Sequence, residues 1–336
     1  MRILHLIPTL TGSGAERQLA YLTRELRRRG HDVLIAYVNE GWAAWRAEGL
    51  PLRKLRARRH RDPRLLLELV GILRSWRPDV LTTWYVESDI AGGVAAMLTR
   101  TPWVMREPNK PPLYTGLVKT WLRNAVARAG AAAIVANSPD GAAYWSARLI
   151  PNAVPVDEID AAPRADLGAA PVVVYAGRLE AIKNVDVVID AAARLEDVTL
   201  VICGVGPQHR ELERLAGPRV RFAGYVPHVW SMIKSADLFV SLSDFEGSPN
   251  SVLEAFAAGT PAVLSDIAAH RAIAGDACAF FVPPRDAAAT AAALRRALGD
   301  RAEAAARARN ARRRVEAMTI TGMADAYEEV YGNVKC

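Results

Sequence analysis

The chain has 336 residues, 51% of them hydrophobic and 24% charged, with a formal net charge of +7; this length and composition predict a soluble, two-domain globular protein with an ample core. Three scattered cysteines (Cys203, Cys278, Cys336) without C-x-x-C spacing exclude a disulfide framework or a zinc site, and no stretch approaches the roughly 18 apolar residues of a membrane span. The charge is uneven: residues 1–160 hold 23 Lys/Arg against 15 Asp/Glu, whereas residues 161–336 hold 20 against 21. MRILHLIPTL lacks the long apolar region and cleavage site of a signal peptide, so a cytoplasmic protein is expected.

Met1–Leu10 reads as a strand, followed by a turn over residues 11–15 that carries Gly12 and Gly14. A helix from Glu16 places Leu19, Leu22 and Leu26 on one face and stops at Arg29-Gly30. Asp32–Val38 is the next strand, which completes a βαβ unit of the doubly wound kind. The turn is not G-x-G-x-x-G, and Asn39-Glu40 is a weak substitute for the acidic strand end of dinucleotide sites. A dehydrogenase is therefore disfavoured. Arg-rich patches follow or flank these elements at Arg27–Arg29 and Arg53–Arg64. They suit an anionic membrane, an acidic acceptor or nucleic acid, or are simply a solvated face.

Further on, Pro63–Trp76 is a helix, Asp79–Trp84 a strand, Ser88–Leu98 a helix and Pro102–Glu107 a strand. Arg106 and Glu107 end that strand, at the edge where α/β sheets place ligands; a ligand contact and a strand-end salt bridge both fit them. Pro108–Pro112 reads as a mobile loop. Leu117–Ala129 is helical, Ala132–Asn137 a strand, and Ser138 caps another helix. Residues 153–171, rich in prolines, acids and small side chains, read as an interdomain linker.

The second half restarts the α/β rhythm with strand Val172–Ala176, a turn at Gly177-Arg178-Leu179, and a helix running to Leu195. Arg178 and Lys183 flank that turn, a fork and a point charge suited to a diphosphate, although surface cations would look the same. Strands Leu200–Gly204 and Val220–Gly224 follow, and then the apolar strand LFVSLS at 238–243 leads into DFEGSPNSVLEAFAAG at 244–259. There Ser248 is placed to cap a helix with Pro249 at its first position, making an anion site of the helix start. Glu246 and Glu254 stand eight residues apart, so a diphosphate at the helix start would have a carboxylate on each side. Carboxylates accept hydrogen bonds from vicinal hydroxyls, and a sugar nucleotide carries two such sets. The alternative is one loop carboxylate and one solvated helix carboxylate. Pro261–Ser265 and Cys278–Val282 complete the strands, and helices Ala287–Leu298, Arg301–Ala317 and Thr319–Tyr331 close the chain.

The strand followed by E-G-x-P-x-x-x-x-E and A-x-A-x-G-x-P closely resembles the E-x7-E signature of retaining GT-B glycosyltransferases of the family 4, or group 1, type. G-R-L-x-x-x-K-N, with Arg178 and Lys183, resembles their phosphate-binding pair. GSGAE resembles their G-G-x-E turn with Ser13 in place of a glycine, and LIPNAVPV resembles I-P-N-G-V with Ala153 in place of glycine. Residues 82–107 resemble a subset that builds bacterial surface polysaccharides, without the histidine many carry near Glu87.

The resemblance covers essentially the whole chain and implies an α/β, GT-B architecture: two Rossmann-like domains with a donor/acceptor cleft between them. Residues 1–155 would form the acceptor-side domain, with a C-terminal helix at 319–336 packing back on it, and residues 156–318 the nucleotide-sugar domain. Arg178, Lys183 and Glu246 would carry catalysis. Gly12 and Gly14 would let backbone approach the donor, while Gly204, Tyr225 and Val226 would wall its base. Glu246, Gly247, Ser248, Pro249, Asn250, Ser251 and Glu254 would hold its diphosphate, ribose and sugar. Glu16, Glu87, Arg106 and Glu107 are candidates for the acceptor or sugar side.

The implied reaction is retaining hexosyl transfer from a nucleotide diphosphate sugar, a UDP-sugar foremost, to a hydroxyl of a glycan or polyprenyl-linked acceptor in surface polysaccharide synthesis. A small natural-product acceptor is the alternative. There is no D-x-D run, so no metal and no cofactor are expected. The basic first domain also suits peripheral contact with the inner face of the membrane. An epimerase on this scaffold is disfavoured because His5, His31, His60, His209, His228 and His270 are dispersed, and a phosphorylase because it needs a cofactor lysine and a longer chain. A basic nucleic-acid-binding protein would leave the Glu246–Glu254 and Arg178–Lys183 patterns without purpose, and nucleic acid is not an expected partner.

Overall fold

The computed structural model describes residues 1–10, 14–40, 49–57, 62–108, 116–169, 171–227 and 229–335. They form two compact units, Met1–Ala153 together with Ile320–Cys336, and Val154–Thr319.

The first unit is built on a seven-stranded parallel sheet. Its strands are β1 (Arg2–Leu10), β2 (Asp32–Glu40), β3 (Leu52–Lys54), β4 (Val80–Trp84), β5 (Trp103–Glu107), β6 (Ala133–Ala136) and β7 (Arg148–Leu149), in the order β3-β2-β1-β4-β5-β6-β7. Every residue of β4 and β5 is buried, the mark of a parallel strand covered on both faces. Alternation along β1 divides its side chains between two cores. Ile3 and Ile7 face α1 (Gly14–Arg28) and the last helix, whereas Leu4 and Leu6 face α2 (Pro63–Trp76) and α3 (Val86–Thr99). The helices α4 (Leu117–Gly130) and α5 (Pro139–Trp145) complete this part of the chain, α5 capped by Ser138, whose hydroxyl accepts from Gly141 N.

The second unit holds α6 (Val156–Ala161) and a six-stranded parallel sheet. The strands are β8 (Val172–Ala176), β9 (Thr199–Cys203), β10 (Val220–Gly224), β11 (Leu238–Ser241), β12 (Ala262–Ser265) and β13 (Phe280–Val282), in the order β10-β9-β8-β11-β12-β13. Helices α7 (Val185–Ala193), α8 (His209–Leu215) and α12 (Ala287–Gly299) cover one face. Helices α9 (Val229–Ser235), α10 (Asn250–Ala257) and α13 (Arg301–Val315) cover the other, and α11 (Ala268–Ala274) joins β12 to β13. The last helix, α14 (Ile320–Lys335), belongs to the first unit: Met323, Tyr327 and Tyr331 lie in the same core as Ile3, and the Tyr331 hydroxyl is 2.8 Å from that of Thr82. Among the described residues no helix is long and apolar enough to cross a membrane.

Several local expectations are corrected. α1 begins at Gly14 rather than Glu16, so Gly14 is a helix residue; Gly12 lies outside the described residues, as does most of the 108–112 loop. The presumed linker contains α6, whose Ile159 is fully buried, because its apolar residues join the second core while Asp157 and Glu158 suit the positive helix start. The short β3, β7, α8 and α11 were not legible, since elements of two to seven residues show too few periods to recognise.

Candidate functional site

In the second sheet the strand order reverses between β8 and β11, so the chain leaves these neighbouring strands in opposite directions and opens a crevice at their C-terminal ends. The two loops that border it are residues 177–184, after β8, and residues 242–249, after β11. They are pinned together by backbone and side chain. Asp244 N donates to Ile182 O at 2.9 Å, and Asn184 Nδ2 donates to Leu242 O at 2.9 Å and to Asp244 Oδ1 at 2.7 Å. Asn184 takes a left-handed φ of 50° between a 3₁₀ turn (Ala181–Lys183) and α7, a conformation Asn tolerates better than most residues.

This pinning brings Lys183 and Glu246 into an ion pair across 63 residues of sequence, with side chains 21% and 14% exposed. Ser243 Oγ donates to the same carboxylate oxygen, Glu246 Oε1, at 2.7 Å. Arg178 is the outer cation, 67% exposed and 2.5 Å from Glu180. Asp244 is held below the ordinary carboxylate range by Arg285, 2.5 Å away, with Asn184 assisting.

Behind Glu246 lies a polar chain that sequence reasoning missed. Ser265 Oγ donates to Ser243 O at 2.6 Å, and His270 Nδ1 lies 2.9 Å from Ser265 O. Nδ1 must therefore carry the proton. Burial pushes the His270 pKa down, so the ring is neutral; Glu246 pulls it up and Lys183 pushes it down, which places His270 in their field. Asn184, Ser243 and Asp244 sat inside or beside the recognised motifs; Ser265 and His270 carried no local signal.

α10 starts at Asn250, with Pro249 at the N-cap and no side-chain cap. This corrects the sequence reading by one residue: Pro249 has ψ 97°, an extended value, so it precedes the helix and Ser248 stands one place before the cap. Gly247, Ser248, Asn250 and Ser251 are half-buried around this positive helix end. Glu254 lies one turn further in, 4% exposed, rather than solvated.

Gly204 closes the site from the β9 side. A Cβ there would sit 1.8 Å from Gly177 O, because the two loops bond closely: Gly177 N to Cys203 O and Leu179 N to Val205 O, each 3.0 Å. Only glycine permits that approach. β10 ends in a register shift between Phe222 and Gly224, where φ is +65°, and delivers half-buried Tyr225 and Val226 to the same sheet edge.

The candidates of the first unit are less uniform. Glu16, in the first turn of α1, is 8% exposed and accepts from Thr9 Oγ1 at 3.1 Å. Glu87 is paired with Lys119. Arg106 and Glu107 are consecutive strand residues and so point to opposite faces. Arg106 donates to Asn152 Oδ1 at 2.8 Å and lies 4.4 Å over the Trp84 ring. Glu107 is fully buried, 2.5 Å from Arg123, which also binds Asp89 at 2.6 Å. Of the two readings open for Glu107, the structure shows the salt bridge and not the acceptor-side contact: its carboxylate is committed to a buried ion network. Among the described residues no group of three or more His, Cys, Asp or Glu is placed to hold a metal ion.

Residues 12–158 match the family described as Glycosyltransferase Family 4, and residues 170–300 match Glycosyl transferases group 1. The lipopolysaccharide core biosynthesis glycosyltransferase LpsE of Rhizobium meliloti is 30% identical over 268 residues, 74% of this chain and 75% of that one. The chain belongs to this glycosyltransferase family. LpsD of the same organism, a second lipopolysaccharide core biosynthesis glycosyltransferase, is 28% identical over 79% of this chain and 78% of its own length. Among solved structures, Anabaena HepE in complex with UDP-glucose superposes with a TM-score of 0.89 at 19% identity, covering 99% of each chain. The glycosyltransferase fold is thus GT-B, and both Rossmann-like units are present.

Proposed function

We propose that this glycosyltransferase is a retaining, metal-independent hexosyltransferase that takes its sugar from a UDP-sugar. The acceptor in this reading is a hydroxyl of a glycan or polyprenyl-linked carrier in surface polysaccharide synthesis. The observation that carries the reading is the Lys183–Glu246 pair at the β8/β11 switch point, beside the start of α10. The lipopolysaccharide roles of LpsE and LpsD support the acceptor class, and the UDP-glucose complex of HepE supports the donor.

Each group has a task that its place allows. As the glycosidic bond breaks, charge grows on the diphosphate oxygens while the anomeric carbon becomes oxocarbenium-like. Lys183, Arg178 and the positive end of α10 stabilise that diphosphate, a term that is often the largest in catalysis. Glu246, anchored by Ser243 and Lys183, accepts from hydroxyls of the transferred sugar. Glu254, deeper on α10, accepts from the ribose. Backbone near Gly204 and residues 224–226 contacts the base. In this reading the departing phosphate takes the acceptor proton on the face it leaves, and the configuration is retained.

Thermal melting with UDP, GDP, ADP and dTDP tests the donor. A nucleotide at about one hundred times its dissociation constant should stabilise the protein by ~2.7 kcal/mol. UDP should give the largest shift, and Arg178→Ala should lose most of it. A larger shift with another nucleotide, or an unchanged one in the variant, would overturn the assignment. The anomeric configuration of the product, read by NMR, tests retention, and full activity in excess chelator tests metal independence.

A further inference from the structure

Glu246 is held by one oxygen. Lys183 Nζ and Ser243 Oγ both donate to Oε1, and among the described residues no group donates to Oε2. A carboxylate fixed in this way offers its second oxygen in one orientation. Ser243 can aim its hydroxyl only while its own backbone is held, and that hold comes from the neighbouring strand. Ser265, the last residue of β12, donates its hydroxyl to Ser243 O at 2.6 Å. A hydroxyl has one proton, so Ser265 Oγ meets His270 Nδ1, 3.1 Å away, as an acceptor. The Nδ1 proton is shared between that oxygen and Ser265 O, 2.9 Å away. The donors therefore run one way, from His270 to Ser265 to Ser243, and from Ser243 to Glu246. Hydrogen bonds aligned head to tail strengthen one another. Ser243, Ser265 and His270 are at most 1% exposed, so these three side chains lie behind the crevice and not in it.

The far side of the imidazole argues that histidine is not there for packing. Nε2 is buried and has no hydrogen-bond partner among the described residues. With the proton on Nδ1 it is a bare acceptor, and an unmet buried acceptor destabilises the fold. An apolar side chain of similar size would avoid that cost; what histidine adds is the Nδ1–H. We infer that His270 and Ser265 are positioning residues: they fix Ser243 so that its hydroxyl, together with Lys183, sets the Glu246 carboxylate and presents Oε2 to a hydroxyl of the transferred sugar. The inference rests on the reading of Glu246 given above, and extends the site to a strand end and a helix behind it.

UDP binding and acceptor-free hydrolysis of a UDP-sugar, with water taking the sugar, separate this role from a structural one. The full chain is given UDP-glucose, UDP-galactose or UDP-N-acetylglucosamine, and the donor it hydrolyses fastest is used throughout. Ser243→Ala should lower the kcat of hydrolysis roughly tenfold or more, the scale of one hydrogen bond to a charged group, while UDP affinity stays within about twofold. Ser265→Ala and His270→Ala should act in the same direction by less, being further from the carboxylate. His270→Asn, whose amide can place an N–H near the Nδ1 position, should recover most of what His270→Ala loses. Nitrogen NMR of the imidazoles should show His270, assigned by the signals missing from His270→Asn, as the neutral Nδ1–H tautomer. Unchanged hydrolysis in Ser243→Ala, parallel loss of UDP affinity and hydrolysis in these variants, or an Nε2–H tautomer would overturn the inference. A wild type that does not bind UDP would instead overturn the donor reading, and the tautomer would still decide the relay.

Discussion

Glu246 Oε1 receives both Lys183 and the Ser243 hydroxyl, so this carboxylate is oriented before any donor arrives. Removing either side of the pair should act on transfer more than on folding. Lys183→Ala should lower kcat by roughly 100-fold or more, in line with losing one preorganised donor to developing charge. Glu254→Ala should abolish measurable transfer while the variant melts cooperatively; unchanged turnover would remove Glu254 from the site. Gly204→Ala tests the backbone contact instead. A Cβ 1.8 Å from Gly177 O forces the two loops apart, with an expected loss of about 1–3 kcal/mol in urea unfolding and weaker UDP binding.

Between elements, the first unit is cross-linked by two ion networks, one taken out of water and one at the surface. Arg123 on α4 joins Asp89 on α3 to Glu107 on β5, and burial pushes Asp89 up to about 6 against the pull of Arg123. Arg123→Met would leave two buried carboxylates without their cation, and about 3–5 kcal/mol of stability should be lost. At the other face, Glu25 on α1 binds Arg28 and Arg29, and Arg29 reaches Asp325 on α14 at 2.6 Å. Arg28 and then Arg29 hold Glu25 at about 2, below its ordinary 4.5. A depressed carboxylate stabilises the fold above its unfolded pKa and loses that contribution as pH falls through the folded one. The melting-temperature gap between wild type and Glu25→Gln should therefore be full at neutral pH and shrink as pH falls below about 4.5 toward about 2.

On the scale of the whole molecule, the last helix completes the first unit. Met323, Ala324, Tyr327, Val330 and Tyr331 fill the core that β1 and α1 leave open. Each of the larger side chains contributes about 1.5–3 kcal/mol, so together they rival the 5–15 kcal/mol net stability typical of a domain. A chain ending at Thr319 should leave the first unit unable to hold its fold, seen as lost solubility or as early proteolysis confined to residues 1–153. Protection equal to that of the full chain would show that α14 is dispensable.

The alternation of buried strands, glycine turns and amphipathic helices was legible from the sequence because each signal is local: a period of two or 3.6, a capping serine, a glycine at a turn. So was the short stretch from Glu246 to Glu254, whose nine residues form one loop and one helix. The sequence by itself therefore determined the α/β class, the repeated Rossmann-like rhythm and the family. Only the tertiary structure decided that Lys183 reaches Glu246, that Gly204 touches Gly177, and that His270 stands behind the site, since each joins separate strands through the sheet order. It also decided the fates of neighbours: Arg106 and Glu107 look alike at a strand end, yet the pleat sends one to Asn152 and the other to Arg123. α4 shows the limit most plainly. Its apolar stripe would ordinarily mark a core face, but Asp89, Glu107 and Tyr144 wait on the opposite side, and the polar stripe is the one that goes in. Periodicity reports that a helix has two faces; the partners packed against it choose which one is buried.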